Sequence, residues 1–371
     1  MNYDVFARLT VNNTPFRQAA SSGFAPAVAV RLPVAYIVKV PSATPRFIPH
    51  PLLKNGHVMT VASAFWRRGF HLPPPEDRLF QVDPESKILG HCHWQQGSDK
   101  TAPLLVLVHG LEGSSDSSYM RGIAEKAWNR GFHVIRLNQR NCGGTELLTP
   151  TLYNSGMSSD FRAVLDELSG EGFANIFFAG YSMGGNLVTK MAGELSEVAP
   201  SALRGIAAVC PALDLAACAD ALERADNYFY QRHFVAGLMA RYAKKAKLFA
   251  QKYSSNGFGP IRTVREFDDA ITAPHFGYRN AQEYYEAAGA KRVVDRICVP
   301  YLLITAQDDP FVPYAAIRAS GIEQNRFVTF NAPKHGGHCA FISNEPGPER
   351  FWAESRIVDF CAGHVPSAGS P

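Results

Sequence analysis

No two of the seven cysteines stand in a C-x-x-C pair; they are odd in number and scattered from Cys92 to Cys361. That spacing argues against a disulfide framework or a zinc knuckle and for free thiols in a reducing compartment. Charge of one sign is also scarce, with 37 Lys and Arg against 33 Asp and Glu, a formal balance of +4 over 371 residues. No basic run interleaves with aromatics, so no nucleic-acid partner is expected. Long unbroken apolar runs are missing as well. The nearest approach, "FAPAVAVRLPVAYIVKV", is interrupted by Arg31, Lys39 and two prolines and has no basic start before it. It is too short and too broken for a bilayer span or a signal peptide. The expectation is a soluble cytoplasmic chain without an integral membrane segment.

What is present is enough apolar sequence, 46% of residues, to bury a large core. The first 45 residues match no later pattern and lead into "PSATPR", which reads as a linker. From Arg78 onward, short apolar or alternating runs are separated by stretches of helical periodicity. Seven runs read as strands: "KILGHCHW", "PLLVLVHG", "FHVIRLN", "NIFFAG", "GIAAVC", "VPYLLITA" and "RFVTF". Helices are expected from about Tyr119 to Arg130, from Ser159 to Leu168, and after Ser182, where Leu187, Met191 and Leu195 fall on one face. Alternation of strand and helix points to an α/β fold with a mostly parallel sheet covered on both sides. From Ala216 to Arg296 no strand signal appears. There "YFYQRHFVAGLMARYAKKAKLFAQKY" reads as one long or two consecutive amphipathic helices, an insertion that would overhang the strand ends.

Ser182 sits where an apolar run stops, in G-Y-S-M-G, with Gly180 and Gly184 two residues to either side. Those glycines remove side chains that would collide across a sharp strand-to-helix turn, and the turn presents the serine hydroxyl. A serine is a poor nucleophile unless a histidine takes its proton and an acid orients that histidine. "YLLITAQDDPFVP" supplies Asp308 and Asp309 just past one strand; "FVTFNAPKHGGHCAF" supplies His335 and His338 just past the next. Asp309 is preferred because it heads the D-x-x-x-P segment of a turn entering a helix. His338 is preferred because Gly336 and Gly337 let its loop approach the serine. Spacing alone leaves Asp308 and His335 open. The oxyanion donors are expected to be the N–H groups of Leu111, in the loop "HGLEGSSDSSYM", and of Met183. His109 reads as a packed residue bracing that loop.

From about Phe47 to Phe360 these residues resemble the α/β-hydrolase superfamily, in its YheT-like branch, which includes medium-chain phospholipase and monoacylglycerol-lipase-type enzymes. The markers are "HPLLKNGHVMT", "LVLVHGLEGSSDSSYM", "RNCGGTE", "GYSMGGNLVTKMAGE", "REFDDAITAPHFGY" and "AQDDPFVP". The resemblance implies Ser182 as nucleophile, Asp309 as acid and His338 as base, and carboxylic-ester hydrolysis without metal or organic cofactor. It departs at Ala340, where the family has glycine, and in the membrane anchor of eukaryotic relatives, which has no counterpart. In the family's strand order, residues 46–215 and 297–362 form the core. Residues 216–296 are a helical cap between core strands 6 and 7, and 1–45 and 363–371 are tails.

The expected substrates are short- to medium-chain esters or monoacylglycerols. The same triad would serve an acyltransferase that keeps water out, or persist in a non-catalytic scaffold. Tyr228, Phe229, Tyr230, Phe234 and Tyr242 could line an acyl pocket or simply pack. Arg241, Lys244, Lys245, Lys247 and Lys252 could give weak contact with an anionic lipid surface or form a solvated face.

Overall fold

The computed structural model describes residues 45–97, 99–254 and 258–366. The expected tail up to residue 44, and the end of the chain from residue 367, lie outside the described residues. Eight strands form one sheet: β1 (Glu76–Asp83), β2 (Ser86–His93), β3 (Leu104–Val108), β4 (His133–Leu137), β5 (Ile176–Tyr181), β6 (Leu203–Val209), β7 (Tyr301–Ile304) and β8 (Val328–Asn331). Their order is β1-β2-β4-β3-β5-β6-β7-β8. The β1–β2 and β2–β4 pairs are antiparallel, and every other pair is parallel.

Seven strands coincide with the seven runs; β1 precedes them all. As an edge hairpin arm with an exposed, charged face, "EDRLFQVD" carries only Phe80 fully into the core and so gives no apolar run.

β3, β4 and β5 are buried at every position. Alternate side chains feed opposite layers, as the two-residue period of a strand requires. Leu104, Val106 and Val108 join one core with Ile176 and Phe178, while Leu105 and Leu107 join the other with Phe177 and Ala179. The first layer is closed by α3 (Ser158–Gly170), through Phe161, Val164, Leu165 and Leu168, and by α4 (Met183–Leu195), through Leu187, Met191 and Leu195. The second is closed by α2 (Ser118–Trp128), by helix 352–363 and by Met59 of α1 (Gly56–Phe65). Each such large apolar side chain contributes about 1.5–3 kcal/mol on burial.

Between β6 and β7 the described residues hold helices and no strand. α5 (Leu215–Leu222) and α6 (Tyr228–Leu248) come first, then Val264–Phe267 running into a π-helical turn at Asp268–Thr272, and helix 281–288. The long amphipathic stretch is one helix, α6. It shares a separate apolar cluster, Leu238, Tyr242, Ala246, Tyr253, Phe267 and Ile271, with Leu152 of the core.

The basic face expected on α6 is largely used internally. Arg241 pairs with Glu112 and Lys244 with Glu146. Lys245 is buried, donating to the carbonyls of Glu146 (2.7 Å) and Thr149, and burial pulls its ammonium down to about 8.

Beyond β4, Arg140 in "RNCGG" ties that loop to α3. Its Nε and Nη2 donate to the two Asp160 oxygens at 2.7 and 2.6 Å, and the side chains are 4% and 5% exposed. Removing one member of such a pair strands the other's charge in the interior. Arg140→Met is expected to lower unfolding free energy by about 3 kcal/mol, read as a shift in the denaturant midpoint at unchanged slope. A midpoint equal to wild type would show that the pair contributes nothing net.

Candidate active site

The parallel strands end on one rim, and β5, β7 and β8 each deliver a segment to it. β5 passes directly into α4 through Ser182, whose φ of 53° and ψ of −116° are unusual for a residue with a side chain. Such strain costs on the order of 1–3 kcal/mol and persists only where surroundings enforce it. Here they do. A Cβ on Gly180 would lie 2.2 Å from the carbonyl oxygen of Gly184, and one on Gly184 would lie 2.3 Å from that of Val108. The turn closes only because both are glycine, and Ser182 N–H is anchored to Val209 O at 2.9 Å.

Past β7, Asp309 is fully buried at its side chain and accepts from the N–H groups of Phe311 (2.8 Å) and Val312 (3.0 Å). Past β8, His338 directs Nδ1 at the Asp309 oxygens, 2.9 and 3.1 Å away. Burial opposes charging of the His338 ring, but the Asp309 carboxylate and the Cys339 thiol beside it outweigh that, and the ring's pKa stands well above its usual value. His338 and Ser182 line the same cavities. No hydrogen bond joins their side chains, a kind of catalytic contact that commonly tightens only in the complex with substrate.

The second Asp–His pair lies alongside. Asp308 accepts from Gly337 N–H at 3.0 Å and faces His335 Nδ1 at 3.3 Å. His335 lines a different, outward cavity with Pro333 and Gln307. Of the four residues that spacing left open, geometry pairs Asp309 with His338, and His338 lines the cavities that Ser182 lines. Asp308 holds the backbone of the His338 loop.

The N–H groups of Leu111 and Met183 have no acceptor among the described residues, while their neighbours do: Gly110 N–H donates to Tyr119 Oη (3.0 Å) and Glu112 N–H to Tyr153 Oη (3.4 Å). Free amides at a helix N-terminus and in an adjoining loop suit an anionic oxygen. His109 braces this loop. Its Nε2 accepts from Gln139 N–H (3.1 Å), leaving Nδ1–H for Gly110 O (2.8 Å), and burial lowers its pKa to about 4, so it stays neutral.

Thr60 on α1 carries no catalytic signature in the sequence. Its hydroxyl oxygen accepts from His338 N–H at 2.8 Å and donates to Gly56 O at 2.6 Å. The marker "HPLLKNGHVMT" was the available signal, but nothing in it says which loop α1 supports. Thr60→Val keeps the shape and removes the acceptor. A fall in kcat of about tenfold at near-constant KM is expected, because a misplaced base raises the barrier without weakening binding. Thr60→Ser should restore it. Equal losses in both variants would contradict this positioning role.

Ser182 lies between two cavities that share Leu111, Phe234 and His338. One is apolar and lies under α5 and α6, walled by Leu215, Leu222, Leu238 and Phe267. The other runs toward α1 and is the more polar of the two, with Thr60, Ser117, Tyr119 and the Arg68–Glu354 pair. Of the aromatics expected in a pocket, Phe234 and Tyr242 line the apolar cavity. Tyr230 packs on Phe311 and His57, and Tyr228 and Phe229 face solvent. The Glu112–Arg241 pair, with Tyr153 Oη donating to Glu112 at 2.7 Å, clamps α6 onto the loop that carries Leu111.

Residues 103–345 match the family described as alpha/beta hydrolase fold. The chain is 31% identical over 330 residues to the YheT protein of Escherichia coli (strain K12), covering 87% of this chain and 95% of that one. It is 30% identical over 244 residues to a phospholipase ABHD3 of Mus musculus, covering 65% and 59% of the two chains. Over 267 residues it is 29% identical to a monoacylglycerol lipase of Saccharomyces cerevisiae, covering 69% and 58%. Among solved structures, the esterase Pf2001 of Pyrococcus furiosus superposes with a TM-score of 0.51 at 16% identity, covering 80% of this chain and 94% of that one, a likeness of fold alone. With its sheet order, its nucleophile-type turn and these relatives, the chain belongs to the α/β-hydrolase fold family, in the YheT-like branch, and is a hydrolase.

Proposed function

We propose that the chain is a serine carboxylic-ester hydrolase with Ser182 as nucleophile, His338 as general base and acid, and Asp309 as the acid that orients it. The observation that carries this reading is the strained Ser182 turn facing the cavities of an Asp309-paired His338, with two unpaired amides at hand. Ser182 Oγ attacks the ester carbonyl as His338 takes its proton. The N–H groups of Leu111 and Met183 hold the oxyanion, and His338 returns the proton to the leaving alcohol. Water then repeats the sequence on the acyl-enzyme. The cycle draws on side chains and backbone only.

The two cavities divide the substrate between them. The acyl chain lies in the apolar chamber under α5 and α6, and the alcohol in the polar one beside α1. Short- to medium-chain esters and monoacylglycerols match that division, and one relative is named a monoacylglycerol lipase. No helix among the described residues is long and apolar enough to cross a membrane. With all seven cysteines free, we place the protein in the cytoplasm.

A p-nitrophenyl ester series from acetate to palmitate tests the reading. Activity should rise to a maximum at intermediate chain length and fall toward palmitate as the chain outgrows the apolar chamber. No turnover of any member, with no labelling by a fluorophosphonate, would overturn it.

A further inference from the structure

A cluster beside the base has no part in this cycle. Cys210 follows β6 directly and Cys339 follows His338, and the His338 loop crosses the end of β6 so that the two thiols meet. Cys339 N–H donates to Cys210 Sγ at 3.4 Å, the Cys210 thiol to Gly337 O at 3.8 Å, and the Cys339 thiol to Val209 O at 3.6 Å. A ring nitrogen of His338 and the two sulfurs lie within 4.8 Å of one another. Both cysteines hold positive φ, 46° and 62°, so the fold and not local preference keeps them there.

We propose that Cys210, Cys339 and His338 form a binding site for a thiophilic divalent cation, best suited to Zn²⁺, whose occupancy shuts off the active site. One imidazole and two thiolates are a donor set zinc favours, and Zn–S and Zn–N bonds of about 2.3 and 2.0–2.1 Å place such donors about 3.5–3.8 Å apart. Contraction of the cluster by about 1 Å therefore completes a three-ligand site. His338 and Cys339 line the polar cavity with Ser182, which gives the ion its entry path and leaves room for a fourth ligand from solvent. On binding, each thiol loses its proton to solvent, and a ring that carries a second proton loses that one too, so one Zn²⁺ exchanges for two H⁺ when the ring is neutral and three when it is protonated. The metal takes a His338 lone pair. At Nε2 it occupies the position that would accept the Ser182 proton; at Nδ1 it replaces the Asp309 contact. In either case the base is gone.

The inhibition rests on the proposed esterase reading; the binding does not. The full chain would be titrated with Co²⁺, whose thiolate complexes give a near-ultraviolet charge-transfer band, and with Zn²⁺ against a chromophoric chelator. Wild type should show the band at one ion per chain, and Cys210→Ser and Cys339→Ser should each weaken zinc binding by at least about tenfold. Ester hydrolysis, normalised to each variant's own rate without metal, should be inhibited by zinc in wild type, recover with EDTA, and resist zinc in both variants. Two single variants guard against one failing to fold. Absence of the cobalt band, or zinc sensitivity undiminished in both variants, would overturn the proposal. A chain that binds cobalt but turns over no ester would sink the esterase reading alone.

Discussion

Ser182→Ala is expected to lower kcat by on the order of 10⁶ and to abolish fluorophosphonate labelling, since the serine and its base act as a unit and the second cannot substitute for the first. The residual rate is what the unpaired Leu111 and Met183 amides and the cavity supply by binding alone. The same position yields a stability result of opposite sign. Ser182 carries its side chain at φ 53°, where glycine is unstrained. Ser182→Gly should therefore be more stable than wild type by about 1 kcal/mol, read as a rise in denaturant midpoint, while being equally inactive. A stable but inactive Gly variant marks strain maintained for chemistry. A variant that retains turnover would remove Ser182 from the mechanism.

Asp309→Asn is expected to cost about 10⁴ in kcat with the geometry intact, because the amide cannot hold His338 in the tautomer that accepts the serine proton. Its pH profile adds an independent readout. In the folded chain, burial favours the neutral His338 ring, but the Asp309 charge 2.9 Å away and the adjacent Cys339 favour the protonated one more, so the pKa lies above the ordinary 6.5. Only the neutral ring can act as base. Activity should thus be low at acid pH and rise through a midpoint above 6.5 in the wild type. With the carboxylate gone, burial acts against less opposition and the midpoint should fall. A wild-type midpoint at or below 6.5, or one that stays in place in Asp309→Asn, would show that Asp309 does not control the ring.

Much of this geometry was legible before any coordinates. β3 to β6 are buried on both faces and announce themselves as apolar runs, and α3 and α4 carry three- and four-residue periodicity because each has one face against the sheet. The turn at Ser182 is written in Gly180 and Gly184, whose contacts with the backbone admit no Cβ. β1 is not legible, since an edge strand has no need of an apolar run, and neither is the burial of Lys245, since a lysine donating to two carbonyls looks in sequence like any basic residue on a solvated face.

Sequence by itself determined the strand and helix rhythm, the Ser, Asp, His order at strand ends and the absence of charge or cysteine patterns typical of other classes, because these are periodicities and local turn chemistry. Tertiary structure decided the rest. Asp309 is preferred to its neighbour Asp308 by spacing, but only the packing of the loops after β7 and β8 turns one toward His338 and the other toward the Gly337 backbone. Thr60 acts on His338 across 278 positions, Arg241 reaches Glu112 across 129, and Cys210 meets Cys339 across 129. Contacts at that separation are fixed by how the layers close around the sheet, and no spacing rule within the chain encodes them.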